Sequence, residues 1–165
     1  GFTAVAEEIR TLDETDIGKI MMKLGLKMNA TAPSTMGTLV STCFLKAAPA
    51  AKGKTELTLA DMVEMGRGAV AGVMERGKSK PGDKTMLDAL YPAVEALGAA
   101  AAAGDSLTDA WQKAYEAAKD GMEKTTSMQS VHGRAAYYQE KSVGRQDPGA
   151  TAMMYIVSGI AKAVR

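Results

Sequence analysis

The stretch Asp147-Pro148-Gly149-Ala150-Thr151-Ala152-Met153-Met154-Tyr155-Ile156-Val157-Ser158-Gly159-Ile160-Ala161-Lys162-Ala163-Val164 is the plainest helix in the sequence. Asp is a strong N-cap, and Pro at the first helical position has its φ preset and needs no amide partner. Ala152, Met153, Ile156, Ile160 and Val164 then recur at helical spacing. Working backwards, Ser106 to Asp109 is a capping pattern opening a helix with Leu107, Trp111, Ala114, Tyr115, Ala118 and Met122 on one face. Gly104 closes a preceding helix that Thr85 opens and that runs to about Ala103. Thr58-Leu59-Ala60-Asp61 caps another, running to about Glu75. Upstream, Leu39, Val40, Cys43, Phe44 and Ala47 form a stripe ending near Pro49; Ile17, Ile20, Met21, Leu24 and Met28 form a second; Ala4, Val5, Ile9 and Leu12 a third. No alternation of β-branched residues signals a strand. The reading is an all-α single domain, residues 1–165, of about seven helices, with an irregular stretch at 125–146.

Composition agrees. The chain has 165 residues, 46% of them hydrophobic but only 5% aromatic, so its apolar content is Ala, Leu, Val, Ile and Met, which favours helix. Twenty Lys and Arg against 19 Asp and Glu give a net charge of +1, which disfavours a generic nucleic-acid or acidic-membrane binder. The most apolar run, 93–103, is too short to span a bilayer. A lone Cys43 excludes an internal disulfide and reads as packing; a cytoplasmic setting is the default. The chain opens Gly1-Phe2 without an initiator Met, as a sequence starting inside a longer polypeptide would.

Three Gly-containing loops stand out as places for chemistry. Residues 77–85 superficially match a phosphate-cradling G-x-x-x-x-G-K-[ST], but Asp83 intrudes before Lys84, and a helix rather than a strand precedes the loop. What survives is Gly-rich backbone meeting a helix N-terminus, which can offer amides to an anion or be a plain connection. Arg134, after Gly133 on irregular backbone, suits a bidentate phosphate contact or a structural salt bridge. His132 has no second ligand in view and reads as a surface or capping residue. Met36 and Met86 read by default as core. The acids Asp13, Glu14 and Asp16 read as complements to a helix start. No catalytic residue and no metal ligand can be named from spacing.

Taken jointly, Arg76-Gly77-Lys78-Ser79-Lys80-Pro81-Gly82-Asp83-Lys84-Thr85-Met86-Leu87-Asp88-Ala89-Leu90, Gly133-Arg134-Ala135-Ala136-Tyr137 and Gly144-Arg145-Gln146-Asp147-Pro148-Gly149-Ala150 resemble the nucleotide-binding L subunits of dihydroxyacetone (glycerone) kinases over essentially the whole chain. The resemblance implies an antiparallel barrel of amphipathic helices, eight in the family and about seven here, holding ADP or ATP in loops at one end. It implies Gly77 and Met86 at the adenine, Arg134 at the phosphates, and Asp147, Pro148 and Gly149 closing the pocket. The family's nucleotide-covering Gly/Ser loop corresponds to residues 34–38, bringing in Met36 and Gly37, although Met36 replaces a small residue and Thr38 stands where proline is common.

The family's Mg²⁺ aspartates lie in a G-D-x-D-H-G-x-N-M segment followed closely by Gly-Phe, so the resemblance puts the metal ligands upstream of Gly1 and leaves this chain without its first helix. It further implies phosphoryl transfer, with Mg²⁺ bridging the phosphates, to dihydroxyacetone held on a separate K subunit or domain. In one branch a third, phosphotransferase-system M subunit recharges resident ADP. This chain alone would then be inactive. The alternative is a noncatalytic helical binding module of the same fold that has lost its metal site. Neither nucleic acid nor membrane is an expected partner.

Overall fold

The computed structural model describes residues 1–165. Seven α-helices and three 3₁₀ segments account for the chain, with no strand: α1 (Phe2–Thr11), α2 (Ile17–Thr31), α3 (Thr35–Ala47), α4 (Leu59–Gly77), α5 (Leu87–Ala103), α6 (Leu107–Lys124) and α7 (Pro148–Ala163). The 3₁₀ segments are Ala48–Ala51, Thr125–Ser127 and Arg134–Ser142. The all-α expectation holds, and every predicted helix is present. The chain resolves into two compact units, Gly1–Lys78 and Ser79–Arg165.

In the first unit the helices pack on their neighbours in sequence, α1 on α2, α2 on α3 and α3 on α4, the last pair joined through the 3₁₀ segment Ala48–Ala51. The caps are those the sequence announces. Asp16 accepts from the Lys19 amide at 3.2 Å and from the Gly53 amide at 3.0 Å, so one carboxylate caps α2 and fastens a distant loop. Thr58 and Asp61 form a reciprocal capping box at α4. Hydrogen bonding from Thr58 and the Lys54 ammonium holds the Asp61 carboxyl down at about 2. Cys43 of α3 is half-buried, and burial pushes its thiol up to about 12.

In the second unit α5 packs on α6 and α7, and α6 on α7, around alanines with no exposed surface: Ala89, Ala110, Ala114, Ala118 and Ala150. Small side chains let the backbones approach closely. Pro92 lies inside α5 and has no N–H to give the Asp88 carbonyl four residues back. Gly121 of α6 packs directly against that carbonyl, where any Cβ would collide with it. Thus α5 keeps a proline in its interior because its neighbour carries a glycine.

One boundary differs from expectation. Thr85 was expected to open the fifth helix, but α5 starts at Leu87 and Thr85 remains in the loop, its hydroxyl accepting from the Leu87 amide at 3.2 Å. The reason is Asp88, whose carboxylate takes the Thr85 amide at 2.7 Å and so organises the turn before the helix.

Candidate functional site

Of the residues singled out from sequence, Met36, Gly37 and Gly77 lie in the first unit. Ser34 caps α3 by accepting from the Gly37 amide at 3.0 Å. Gly37 is buried against the Ala32 carbonyl, with no room for a side chain, so the tight entry into α3 requires glycine there. Met36, beside it, is half-buried. Gly77 is the last residue of α4, and Lys78 ends the helix in the left-handed conformation with φ 52°.

Met86, Arg134, Asp147, Pro148 and Gly149 lie in the second unit. Asp147 caps α7 as predicted, accepting from the Ala150 amide at 2.7 Å, with Pro148 at the first helical position. Its own amide donates to Thr125 Oγ1 at 2.9 Å, and that hydroxyl donates to the Met122 carbonyl at 2.6 Å. Thr125, fully buried, therefore ties the end of α6 to the start of α7. Burial raises the Asp147 carboxyl above its ordinary value; the Ala150 and Gly149 amides pull it back, the Asp88 charge pushes it up, and Lys84 lowers it. A Cβ on Gly149 would stand 2.9 Å from Asp147 Oδ2, 3.3 Å from the Met86 amide nitrogen and 3.6 Å from Met86 Cβ. The structure therefore brings Met86, Asp147 and Gly149 together. Met86 itself is only 2% exposed, in keeping with the default reading of a methionine as core.

The loop between α4 and α5 is built by side chains that sequence reading left without a role. Asp88 accepts from the Gly82 amide through Oδ1 at 2.6 Å and from the Thr85 amide through Oδ2 at 2.7 Å. Asp83 Oδ2 accepts from the Lys80 amide at 2.9 Å and lies 3.1 Å from His132 Nε2. Gly82, with φ 97°, and Lys84, with φ 60°, make the bends. Lys84 is 3% exposed and donates to the Met128 carbonyl at 3.0 Å and the Ser142 carbonyl at 2.6 Å. This is not a phosphate cradle of the P-loop kind: its lysine is turned inward onto backbone. His132 reads correctly as a surface residue with a structural partner, Asp83.

Arg134 begins the 3₁₀ segment, after Gly133 with φ 69°. It is exposed, and no carboxylate lies within ion-pair range, so of the two readings open from sequence the salt bridge is not the one realised. The chain on either side of it is fastened: the Val131 amide donates to the Asp83 carbonyl at 3.2 Å, the Ser130 amide to Ser142 Oγ at 2.9 Å, and the Gly144 amide to the Thr126 carbonyl at 2.7 Å. An unpaired guanidinium keeps all its N–H donors free for an outside acceptor.

The residues present do not fit a Mg²⁺ site. No three His, Cys, Asp or Glu side chains converge on a point, and Asp83, Asp88 and Asp147 are each committed to backbone amides. No helix is long and apolar enough to cross a membrane.

The model of the DAK2 domain family matches residues 1–162. The chain belongs to the DAK2 domain family. The ADP-binding subunit DhaL of the PEP-dependent dihydroxyacetone kinase of Escherichia coli (strain K12) is 36% identical over 165 residues, which is 100% of this chain and 79% of that protein. The ADP-binding subunit DhaL of PEP-dependent dihydroxyacetone kinase 2 of Listeria innocua is 29% identical over 170 residues, covering 99% of this DAK2 domain and 78% of that protein. Among solved structures, the native dihydroxyacetone kinase of C. freundii superposes with a TM-score of 0.70 at 24% identity, over 98% of this chain and 28% of that one. That likeness establishes the helical fold.

Proposed function

We propose that this DAK2 domain is the ADP-binding subunit of a dihydroxyacetone kinase, working in phosphoryl transfer to dihydroxyacetone held on a separate K-type subunit. The carrying observation is Arg134: an exposed guanidinium with no protein partner, on a loop fastened at several points, in a chain 36% identical to an ADP-binding subunit. Arg134 binds the phosphates bidentately. Gly149 and Asp147 shape the pocket wall beside Met86, whose neighbourhood takes the adenine. Support for ADP as a resident nucleotide, recharged by an M-type partner in the cytoplasm, comes from the two relatives matched over most of their length, both ADP-binding subunits of PEP-dependent enzymes.

The test is calorimetric titration of ADP, with and without Mg²⁺, into the wild type and Arg134→Ala. Saturable binding is expected, weakened in the variant by on the order of 2 kcal/mol, or about 30-fold, through loss of a charge-assisted pair. Equal affinity in the two proteins would remove Arg134 from the site. Absence of binding in both would favour the noncatalytic module over the kinase subunit.

A further inference from the structure

Residues 128–142 form a loop whose two ends meet on one side chain. Lys84 Nζ donates to the Met128 carbonyl at 3.0 Å and to the Ser142 carbonyl at 2.6 Å, partners 44 and 58 residues away in sequence. Arg134 stands between those anchors. We propose that Lys84 is a positioning residue: by closing the 128–142 loop it holds Arg134 where the nucleotide phosphates bind. The inference rests on the nucleotide-binding reading above.

The chemistry is specific to an ammonium. Lys84 is 3% exposed and forms no ion pair; its hydrogen-bond acceptors are two neutral carbonyls. Burying a charge without a carboxylate in contact is costly, and a loop closure alone needs only a hydroxyl or an amide. An ammonium offers three donors on a flexible stem, so one buried atom satisfies two loop ends that converge from different directions. The backbone at Lys84 is left-handed, with φ 60°, which turns the side chain of a residue in the α4–α5 connection towards that loop. The neighbouring ties reinforce the same junction: Asp83 pairs with His132, and its carbonyl accepts from Val131. Two consecutive residues, Asp83 and Lys84, thus fasten opposite stretches of one loop. Arg134, which has no partner of its own, takes its position from them.

The experiment is ADP titration into wild type, Lys84→Met, Arg134→Ala and the double variant, with hydrogen exchange of amides 129–142 followed without nucleotide. Methionine carries the same left-handed strain as lysine and nearly the same length, so the change removes the charge and the donors. If Lys84 acts through Arg134, Lys84→Met weakens ADP about tenfold, the double variant binds no worse than Arg134→Ala, and the loop amides exchange about tenfold faster. Folded Lys84→Met with wild-type affinity, or losses that simply add in the double variant, would overturn the proposal. Should Lys84→Met fail to fold, Lys84→Gln, which can keep one of the two bonds, takes its place in the same cycle. If the wild type binds no ADP, the functional reading itself falls. Loop exchange then judges the clamp alone: faster exchange supports it, and unchanged exchange overturns it.

Discussion

Replacing Asp88 by Asn tests whether the α4–α5 connection is organised as the structure shows. The carboxylate is 6% exposed and accepts two short bonds, from the Gly82 amide at 2.6 Å and the Thr85 amide at 2.7 Å. Hydrogen bonds to a charged group contribute about 1.5–3 kcal/mol each. Asn is isosteric, but it can present an oxygen to only one of the two amides and turns an NH₂ towards the other. One bond is weakened to a neutral one and the other becomes donor against donor, a loss of about 3–4 kcal/mol. Relief of the repulsion that Asp88 exerts on the Asp147 carboxyl returns a part. The net expectation is about 2–3 kcal/mol of destabilisation, equivalent to roughly 4–12 °C for a chain of this size. Urea unfolding followed by circular dichroism reads it as a lower midpoint at unchanged slope. A loss below about 0.5 kcal/mol would mean that the two amides are satisfied without Asp88, and the account of this loop would be wrong.

Gly149→Ala should cost about 1–2 kcal/mol in the same assay, because the new Cβ meets Met86 backbone at 3.3 Å and, at 2.9 Å, Asp147 Oδ2, which the Ala150 amide holds in place; an unchanged midpoint would refute that crowding. Asp147, its carboxyl raised chiefly by burial from an ordinary 3.8, holds its proton more tightly folded than unfolded, so its contribution is full below pH 3.8 and is lost as pH rises through the folded pKa. Asp147→Asn keeps the cap and removes that loss, so its stability relative to wild type should rise as pH climbs above about 4; a difference independent of pH would contradict the shift. Cys43, with its thiol pushed up to about 12, should react with iodoacetamide at about pH 8 at least a hundredfold more slowly folded than in urea, as followed by mass spectrometry. Comparable rates would contradict that burial.

How much of this was legible depends on how local the signal is. The start of α7 follows from Asp147-Pro148 alone, and that of α4 from Thr58 and Asp61, because a cap and its amides lie within three residues. The start of α5 lies two residues beyond Thr85, and of the two bonds that organise its entry only the one from the Thr85 amide to Asp88 has local capping spacing; the other reaches back six residues to Gly82. The junction at Lys84 was beyond reach for the same reason. A lysine in a polar Gly/Pro loop reads as solvated, and its acceptors are backbone carbonyls that carry no residue-type signature. The 3₁₀ segment Arg134–Ser142 was seen only as irregular, since Gln139 breaks it with φ 47° and no glycine or proline announces the kink. The candidate site residues come from joint motifs rather than periodicity. Pattern alone left Met86 in the core and Arg134 between a phosphate contact and a salt bridge; the structure supplies the missing fact that Arg134 has no acidic partner.

Thermal unfolding of the wild-type chain with and without ADP bears most directly on nucleotide binding. A ligand at about 100 times its Kd that binds only the folded state adds about 2.7 kcal/mol. For a chain of this length that is a rise in Tm of roughly 5–11 °C. The account predicts such a rise with ADP in the wild type and a smaller one in Arg134→Ala. No shift at millimolar ADP in the wild type would contradict it.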